Sequence, residues 1–433
     1  MTMHILYLCH RIPYPPNKGD KIRSFNEIRY LAREHTVDLV TLVDDPADLV
    51  YAQDLEIYCR TVRVFLLNKK TALIKGTLSL VSGSSITQGY FYKRAFQKAV
   101  DTLTASTRYD MLICFSSPMA RYVFQAAKKP LDLARTLIMD FCDLDSDKWL
   151  QYATKKPFPV NLLYRLEGAR LLAFEKQINR SFHTSVFVSQ KEADLFVRVF
   201  PGAADIAVIP NGVDHQYFTP GTDPVPGSDT GPDPGPDDTP DPGPDHTPDH
   251  TPDNKAHADR PVIAFFGAMD YYANVDGACW FARQILPAVR QKIPEVLFYV
   301  VGSRPAPELT ALAAADAGIR VTGFVEDIRP WYTRARVCVI PLRIARGVQN
   351  KVLEAMSMEK AIVTTSPAVQ GISLPHDPPL AVTDDPDRFA AHVTALLQDA
   401  PRRRAMGRAA RQHIKEHFNW DRNMKALVSG AGQ

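Results

Sequence analysis

Residues 219–259 divide this chain, because no packed core can be made from them. Eleven of them are proline and ten aspartate, and only Val225, Ala256 and Ala258 are apolar. Proline fixes φ and removes a backbone donor, and like charges repel, so this composition predicts an extended, disordered linker. Aspartate repeats can bind calcium where glycines fold the loop around the ion. The regular prolines oppose that fold here, and the solvated linker is the reading taken. Two bodies, 1–218 and 260–433, must then fold on either side. The formal net charge of +3 averages them: +6 before the linker, −9 within it and +6 after it.

Those numbers exclude several classes. An apolar fraction of 45% is that of a globular protein, neither collagenous nor wholly disordered. The basic excess is small and forms no aromatic-studded stripe, so nucleic acid is not an expected partner. No run of 18 apolar residues exists, and Ile5–Cys9 is too short for the apolar core of a signal peptide. The six cysteines form no C-x-x-C pair, and four lie in or beside apolar runs. Neither a disulfide framework nor a zinc site is expected, and the chain reads as cytosolic.

Each body alternates short apolar runs with helical periodicity. In the first, strands are predicted at His4–Cys9, 37–42, 62–67, 111–115, 137–141, 185–188 and 206–209. Helices are predicted over 21–34, 88–104, 118–128, 160–180 and 190–199. The pattern restarts with a strand at Val262–Phe266, a long helix over 275–292, and strands at 296–301, 320–322, 337–340 and 361–365. A helix over 349–357 precedes the last of these strands, and helices over 386–398, 401–416 and 420–428 close the chain. Such alternation predicts an α/β protein of two doubly wound parallel sheets, with a site in the cleft between their strand ends.

Three places can carry chemistry. After the first strand comes RIPYPPNKGDKIR, in which Gly19 allows close backbone approach and a helix starting near Asp20 offers N–H groups to an anion. Lys18, Lys21 and Arg23 add positive charge. A surface loop capped by Asp20 explains the same residues equally well. DFCDLDSDKW, residues 140–149, follows another strand. Its Asp143, Asp145 and Asp147 suit a general base or cation at a cleft mouth, or a set of caps and turn formers.

The third is PLRIARGVQNKVLEAMSMEKAIVTT, residues 341–365: strand end, glycine-containing loop, helix, strand. Gly347 permits a tight approach, and the N–H groups at the helix start can hold a diphosphate that Arg343 and Lys351 neutralise. Glu354, one turn further on, suits the two hydroxyls of a ribose. Pairing of Glu354 with Lys351 or Lys360 on a wet face is the alternative. It leaves the meeting of a glycine, two cations and a carboxylate at one strand end unexplained.

With IPNGVDHQYF (209–218), FFGAMDYYANVDG (265–277), VGS (301–303) and GVQNKVLEAMSMEKAIVTT (347–365), the chain resembles the retaining glycosyltransferases of family 4. The likeness spans nearly everything except the acidic insert. LYLCHRIPYPPNKGDKIRSFNEIRYLA and DLDSDKWLQYA resemble, more narrowly, sugar transferases associated with exosortase and PEP-CTERM exopolysaccharide systems.

The resemblance implies the GT-B fold: two Rossmann-like domains facing across a cleft, the second binding a UDP- or GDP-sugar, with the last helix crossing back to the first. It implies a metal-independent, hexosyltransferase-type enzyme without a cofactor. The donor would meet Gly19, Asp20, Gly267, Arg343, Gly347, Asn350, Lys351 and Glu354. Glu354 stands where the family's E-x7-E motif has its second glutamate, but Arg346 replaces the first. Arg346 is therefore expected against the sugar or a phosphate oxygen, and Asp143 or His10 are the candidates for a base.

The resemblance also implies a lipid-linked saccharide acceptor, hence peripheral contact with the cytoplasmic face of the inner membrane. KKTALIKGTLSLV, residues 69–81, is read as a loop that interleaves Lys69, Lys70 and Lys75 with leucine and isoleucine, which suits an anionic leaflet. The leucines of the 160–180 helix are read as core. Two other readings of the chain remain: a weakly catalytic scaffold or regulatory protein that binds a nucleotide sugar, suggested by Arg346, and an epimerase of the same architecture.

Overall fold

The computed structural model describes residues 2–16, 18–154, 156–221, 260–345 and 347–429. Most of the expected linker (222–259), and Arg346, lie outside the described residues. The chain divides into two compact units at Asn211/Gly212, and from Trp420 it returns to the first.

The first unit is built on seven parallel strands: β1 (His4–Cys9), β2 (Thr36–Val43), β3 (Thr61–Leu66), β4 (Tyr109–Phe115), β5 (Ala134–Cys142), β6 (Thr184–Phe187) and β7 (Ile206–Val208). Their order is β3-β2-β1-β4-β5-β6-β7. Connecting them are α1 (Gly19–Leu31), α2 (Lys69–Ser79), α3 (Ile86–Tyr90), α4 (Arg94–Ser106), α5 (Ala120–Phe124), α6 (Pro130–Leu133), α7 (Asp145–Thr154), α8 (Val160–Ser181) and α9 (Gln190–Val199). Parallel strands need crossovers that cover both sheet faces, and successive side chains point to opposite faces. Accordingly Leu6 and Leu8 of β1 join Leu112 and Cys114 in one core layer, while Ile5, Tyr7 and Cys9 join Met111, Ile113 and Phe115 in the other.

The second unit repeats this plan. Its strands are β8 (Val262–Phe266), β9 (Leu297–Val301), β10 (Ile319–Val321), β11 (Val337–Ile340), β12 (Ala361–Thr364) and β13 (Ala381–Val382), ordered β10-β9-β8-β11-β12-β13 and all parallel. Its helices are α10 (Tyr272–Trp280), α11 (Leu286–Lys292), α12 (Pro307–Ala315), α13 (Arg329–Arg334), α14 (Asn350–Ser357), α15 (Ser366–Val369), α16 (Pro386–Gln398) and α17 (Ala400–His417). In both units the strand order reverses beside the first strand, between β1 and β4 and between β8 and β11. Such switch points place ligands at the C-terminal strand ends.

The last helix, α18 (Trp420–Ser429), lies on the first unit. Trp420, Met424 and Leu427 join the core layer of Ile5 and Tyr7, and Asp421 pairs with Arg33 at 2.7 Å. Residues 212–218, placed in the first body from sequence, belong to the second unit. The Val213 N–H donates to Phe418 O (2.9 Å), and Arg411 donates to Phe218 O (2.8 Å) and His215 O (3.1 Å).

Four predicted elements differ. The helix over 118–128 is a 3₁₀ turn at Ser117–Met119 followed by the short α5. The helix over 88–104 is broken into α3 and α4. The helix over 275–292 is two helices joined by a π turn at Phe281–Ile285, because Pro287 removes a donor from its ladder. The 69–81 segment is no loop: Asn68 caps it, accepting from the N–H groups of Lys70 and Thr71, and it forms α2.

Candidate donor site in the second unit

The switch point of the second unit gathers the residues singled out around 267 and 343–354. Gly267 follows β8 with φ +155°, and a Cβ there would stand 2.7 Å from Asn274 Nδ2 and 2.9 Å from Lys351 Nζ. Only a glycine lets the backbone come this close to the lysine. Gly347, at φ +63°, turns the chain into α14. The start of α14 carries no side-chain cap. Its first N–H groups and its dipole point toward the strand ends, the arrangement that holds anions.

Lys351 lies one residue into that helix. Its Nζ donates to Asn274 Oδ1 and sits 5.1 Å from the Phe265 ring centroid. Burial lowers its pKa to about 8, against the opposing pull of Glu354. Glu354, on the next turn, accepts from the Tyr332 hydroxyl at 3.1 Å. Tyr332 is itself fixed by stacking on Phe266 with ring centroids 3.8 Å apart. Burial pushes the Glu354 carboxyl up, while Tyr332 and Lys351 pull it down.

Arg343 lies at the rim, half exposed, and forms a two-pronged ion pair with Asp276, Nε to Oδ2 at 2.9 Å. The Oδ1 atom of Asn350 is inaccessible and has no hydrogen-bond partner among the described residues. Asn274, Asp276 and Tyr332 are supporting residues that sequence reasoning did not single out. Asn274 and Asp276 sit inside the quoted FFGAMDYYANVDG. Nothing in the sequence around Tyr332 points to a carboxylate 22 positions later.

The first unit holds the other predicted residues. Gly19 begins α1, and Asp20 does not cap it: its carboxylate takes the Arg11 guanidinium at 2.6 Å and lies 3.5 Å from His10 Nε2. Burial pushes the Asp20 carboxyl up, but His10 and Arg11 outweigh it and hold it well below the usual carboxylate range. Lys21 and Arg23 face inward, so they do not supply surface charge. Lys21 pairs with Asp48 at 2.6 Å.

Arg23 binds Asp140 through Nε (2.9 Å) and Nη2 (2.6 Å), lies 3.0 Å from Glu27, and donates through Nη1 to Ile209 O and Asn211 Oδ1. The Tyr7 hydroxyl donates to Glu27 Oε2 at 2.6 Å. Asp143 stands just past β5, after Cys142 at φ +59°. Asp145 and Asp147 open α7, where acidic side chains complement the helix dipole. Lys69, Lys70 and Lys75 are exposed on α2. Among the described residues no group of three or more His, Cys, Asp or Glu is placed to hold a metal ion.

The second-unit arrangement has counterparts elsewhere. Residues 260–399 match the family model of the glycosyl transferases group 1. The chain is similar to the HepE protein of Anabaena in complex with UDP-glucose, at 16% identity over 99% of each chain and a TM-score of 0.62. It is also similar to a sucrose-phosphate synthase of Thermosynechococcus elongatus (15%, 99% of this chain and 98% of that one, TM-score 0.65). WaaG, a glycosyltransferase involved in lipopolysaccharide biosynthesis, is a third (15%, 99% and 100%, TM-score 0.60).

The fold is GT-B. In sequence, an uncharacterised 44.6 kDa protein in the cps region of Klebsiella pneumoniae is 20% identical over 96% of both chains. The stretch matched by the family model contains Gly267, Arg343, Gly347, Asn350, Lys351 and Glu354, and it supports a GT-B glycosyltransferase.

Proposed function

We propose that this protein is a retaining, metal-independent hexosyltransferase that moves a sugar from a nucleotide-sugar donor to a lipid-linked glycan acceptor in exopolysaccharide assembly. The observation that carries the reading is the meeting of Lys351, Gly267, the start of α14 and the Tyr332–Glu354 pair at one switch point. Glycosyl transfer needs charge stabilised on the departing diphosphate, and a helix start with a desolvated lysine supplies it without a metal. Glu354, oriented by Tyr332, takes the ribose hydroxyls. Arg343 and the backbone N–H of Asn350 at the start of α14 extend the anion side. Arg346 contacts the sugar or a phosphate oxygen.

UDP-sugars are the first donors to try, because HepE is seen with UDP-glucose; GDP-sugars are the second. The lipopolysaccharide role of WaaG and the cps-region relative support a polysaccharide product; action at the cytoplasmic face of the inner membrane rests on the sequence resemblance. The exosortase and PEP-CTERM association rests on the sequence resemblance. A scaffold that binds the nucleotide sugar without turnover is the second reading, favoured by Arg346 in place of a glutamate.

A panel of labelled UDP-, GDP- and ADP-sugars tests these readings by thermal shift and by transfer to membrane-extracted lipid acceptors. The correct donor raises Tm by mass action. A Tm shift with no transfer or hydrolysis on any acceptor would leave the scaffold as the answer.

The lowered pKa of Lys351 sets the pH response of donor binding. In the free protein Lys351 loses its proton as pH rises through about 8. A bound diphosphate favours the charged form, so binding takes up a proton above that pH. Nucleotide affinity should therefore be level below pH 8 and weaken by up to ~10-fold per unit above it. Calorimetric titration of UDP in buffers of different ionisation enthalpy measures both quantities. A dissociation constant that stays flat from pH 7 to 9.5, with no proton uptake, contradicts this role for Lys351.

A further inference from the structure

Helix α2 is built inside out for a helix facing water. It buries Ala72, Gly76 and Ser79 and exposes its large apolar residues: Leu73 at 57%, Ile74 at 59% and Leu78 at 62%, with Val81 just beyond at 90%. At 100° per residue the small residues form one stripe and Ile74, Leu78 and Val81 the opposite one, with Lys70 at its edge, Leu73 and Lys75 on its two flanks, and Lys69 between Leu73 and the small stripe. The small stripe is required by α3. A Cβ on Gly76 already lies 2.9 Å from Ile86, and one on Gly89 lies 2.7 Å from Ser79 Cβ. The outer stripe has no such duty, and an apolar surface of this kind marks an interaction site.

The N-terminal turns of α8 continue the patch. Arg170 donates to Leu80 O (2.6 Å) and Ser84 O (3.1 Å), and Glu167 accepts from the Ile86 and Thr87 N–H groups, which ties α8 to the end of α2 and to α3. Leu163 and Leu166 stand one turn before Glu167 and Arg170 on the same helix side. They are exposed, as are Leu162 (60%) and Phe158 (78%). The leucines expected in the core are thus divided: Leu171 is buried, and Leu162, Leu163 and Leu166 are not.

Charge identifies the occupant. No Asp or Glu occurs from 57 to 100, a stretch holding eight Lys and Arg, nor from 148 to 166, which holds four. The first carboxylate beyond, Glu167, is buried and bonded to α3. A second copy of this chain pairing face to face would set these cations against themselves. An apolar stripe flanked by lysines with no acids fits a bilayer carrying negative headgroups.

We propose that the α2 face and the first turns of α8 form a membrane-docking surface. Leu73, Ile74, Leu78, Val81, Phe158 and Leu162 enter the headgroup–acyl boundary, while Lys69, Lys70 and Lys75 hold anionic lipid. This deepens, and rests on, the reading of a lipid-borne acceptor. No helix of the described residues is long and apolar enough to cross a membrane.

The test is flotation of the full chain with phosphatidylcholine vesicles with and without phosphatidylglycerol, alongside UDP binding and transfer to a soluble acceptor analogue. Wild type should float with the anionic vesicles. Ile74→Glu with Leu78→Glu should weaken binding by about tenfold or more. Lys69→Gln, Lys70→Gln and Lys75→Gln together should weaken it by about a hundredfold. Both variants should keep UDP affinity, which also reports that they fold.

Equal binding by wild type and both variants, or indifference to phosphatidylglycerol, overturns the surface while leaving the transferase reading intact. So does a vesicle-free dimer that Ile74→Glu with Leu78→Glu dissolves. Lipid-dependent flotation without transfer to any lipid-linked acceptor supports the surface and removes the acceptor reading instead.

Discussion

Lys351→Ala should lower kcat/KM for the sugar donor by about 10²–10³, the loss typical of removing one preorganised stabiliser of transition-state charge. Burial already holds this ammonium partly desolvated against Gly267 and Asn274, so no water shell need be reorganised when charge builds on the leaving diphosphate. Most of the loss should appear in kcat, with a smaller weakening of UDP affinity. Lys351→Arg should not restore activity. A planar guanidinium needs more room than the space between Gly267 and Asn274 allows, and it cannot share the lysine's single-point geometry. Steady-state kinetics of Lys351→Ala, Lys351→Arg and wild type against one donor decide this. An alanine variant within a factor of three of wild type would sink the diphosphate assignment.

The second large effect lies in the first unit. Arg23→Met should destabilise that unit by about 3–5 kcal/mol, because it leaves Asp140 and Glu27 buried without their counter-charge. Asp140 and Glu27 are both fully buried. Burial, then the charge of Asp140, push the Glu27 carboxyl well up, with Arg23 opposing, so the two carboxylates share one guanidinium. Replacing both members, Arg23→Met with Asp140→Leu, should recover much of the loss, since an apolar pair removes the stranded charge. Urea unfolding of the two variants gives the comparison through their midpoints. A single variant that unfolds at the wild-type midpoint would show the cluster to be unimportant for stability. Arg23 also ties the first helix to Ile209 and Asn211, where the chain leaves the unit. Its loss should therefore loosen the start of α1 even where folding survives.

Much of the second-unit site was legible in the sequence, because its parts are close in sequence and local in cause. A strand end, a glycine, a helix start and residues one turn apart on that helix read directly as a run of text, and β8, β11 and α14 lie within a residue of the expected bounds. What supports them was not legible. Tyr332 reaches Glu354 only because α13 packs where it does, and the Arg343–Asp276 pair joins residues 67 positions apart.

The same limit holds in the first unit. Asp20, Lys21 and Arg23 look like a charged anion-binding loop in sequence, since nothing there shows that Arg11, Asp48 and Asp140 will take them up. The 69–81 segment reads as a loop in the sequence. It is a helix whose large side chains point outward.

The sequence by itself determined that two α/β bodies flank a stretch unable to build a core, since proline, like charge and missing apolar residues act locally. It also determined the α14 motif for the same reason. The tertiary structure alone decided which cations stay available and which are buried in pairs, because pairing joins residues distant in sequence, 27 positions apart for Lys21 and Asp48 and 117 for Arg23 and Asp140. It decided too that the break between units falls at Asn211 and not at 218, where hydrogen bonds from Arg411 and to Phe418 hold residues 213–218 on the second sheet's side. Composition marks where a core cannot form, while packing fixes where each core ends.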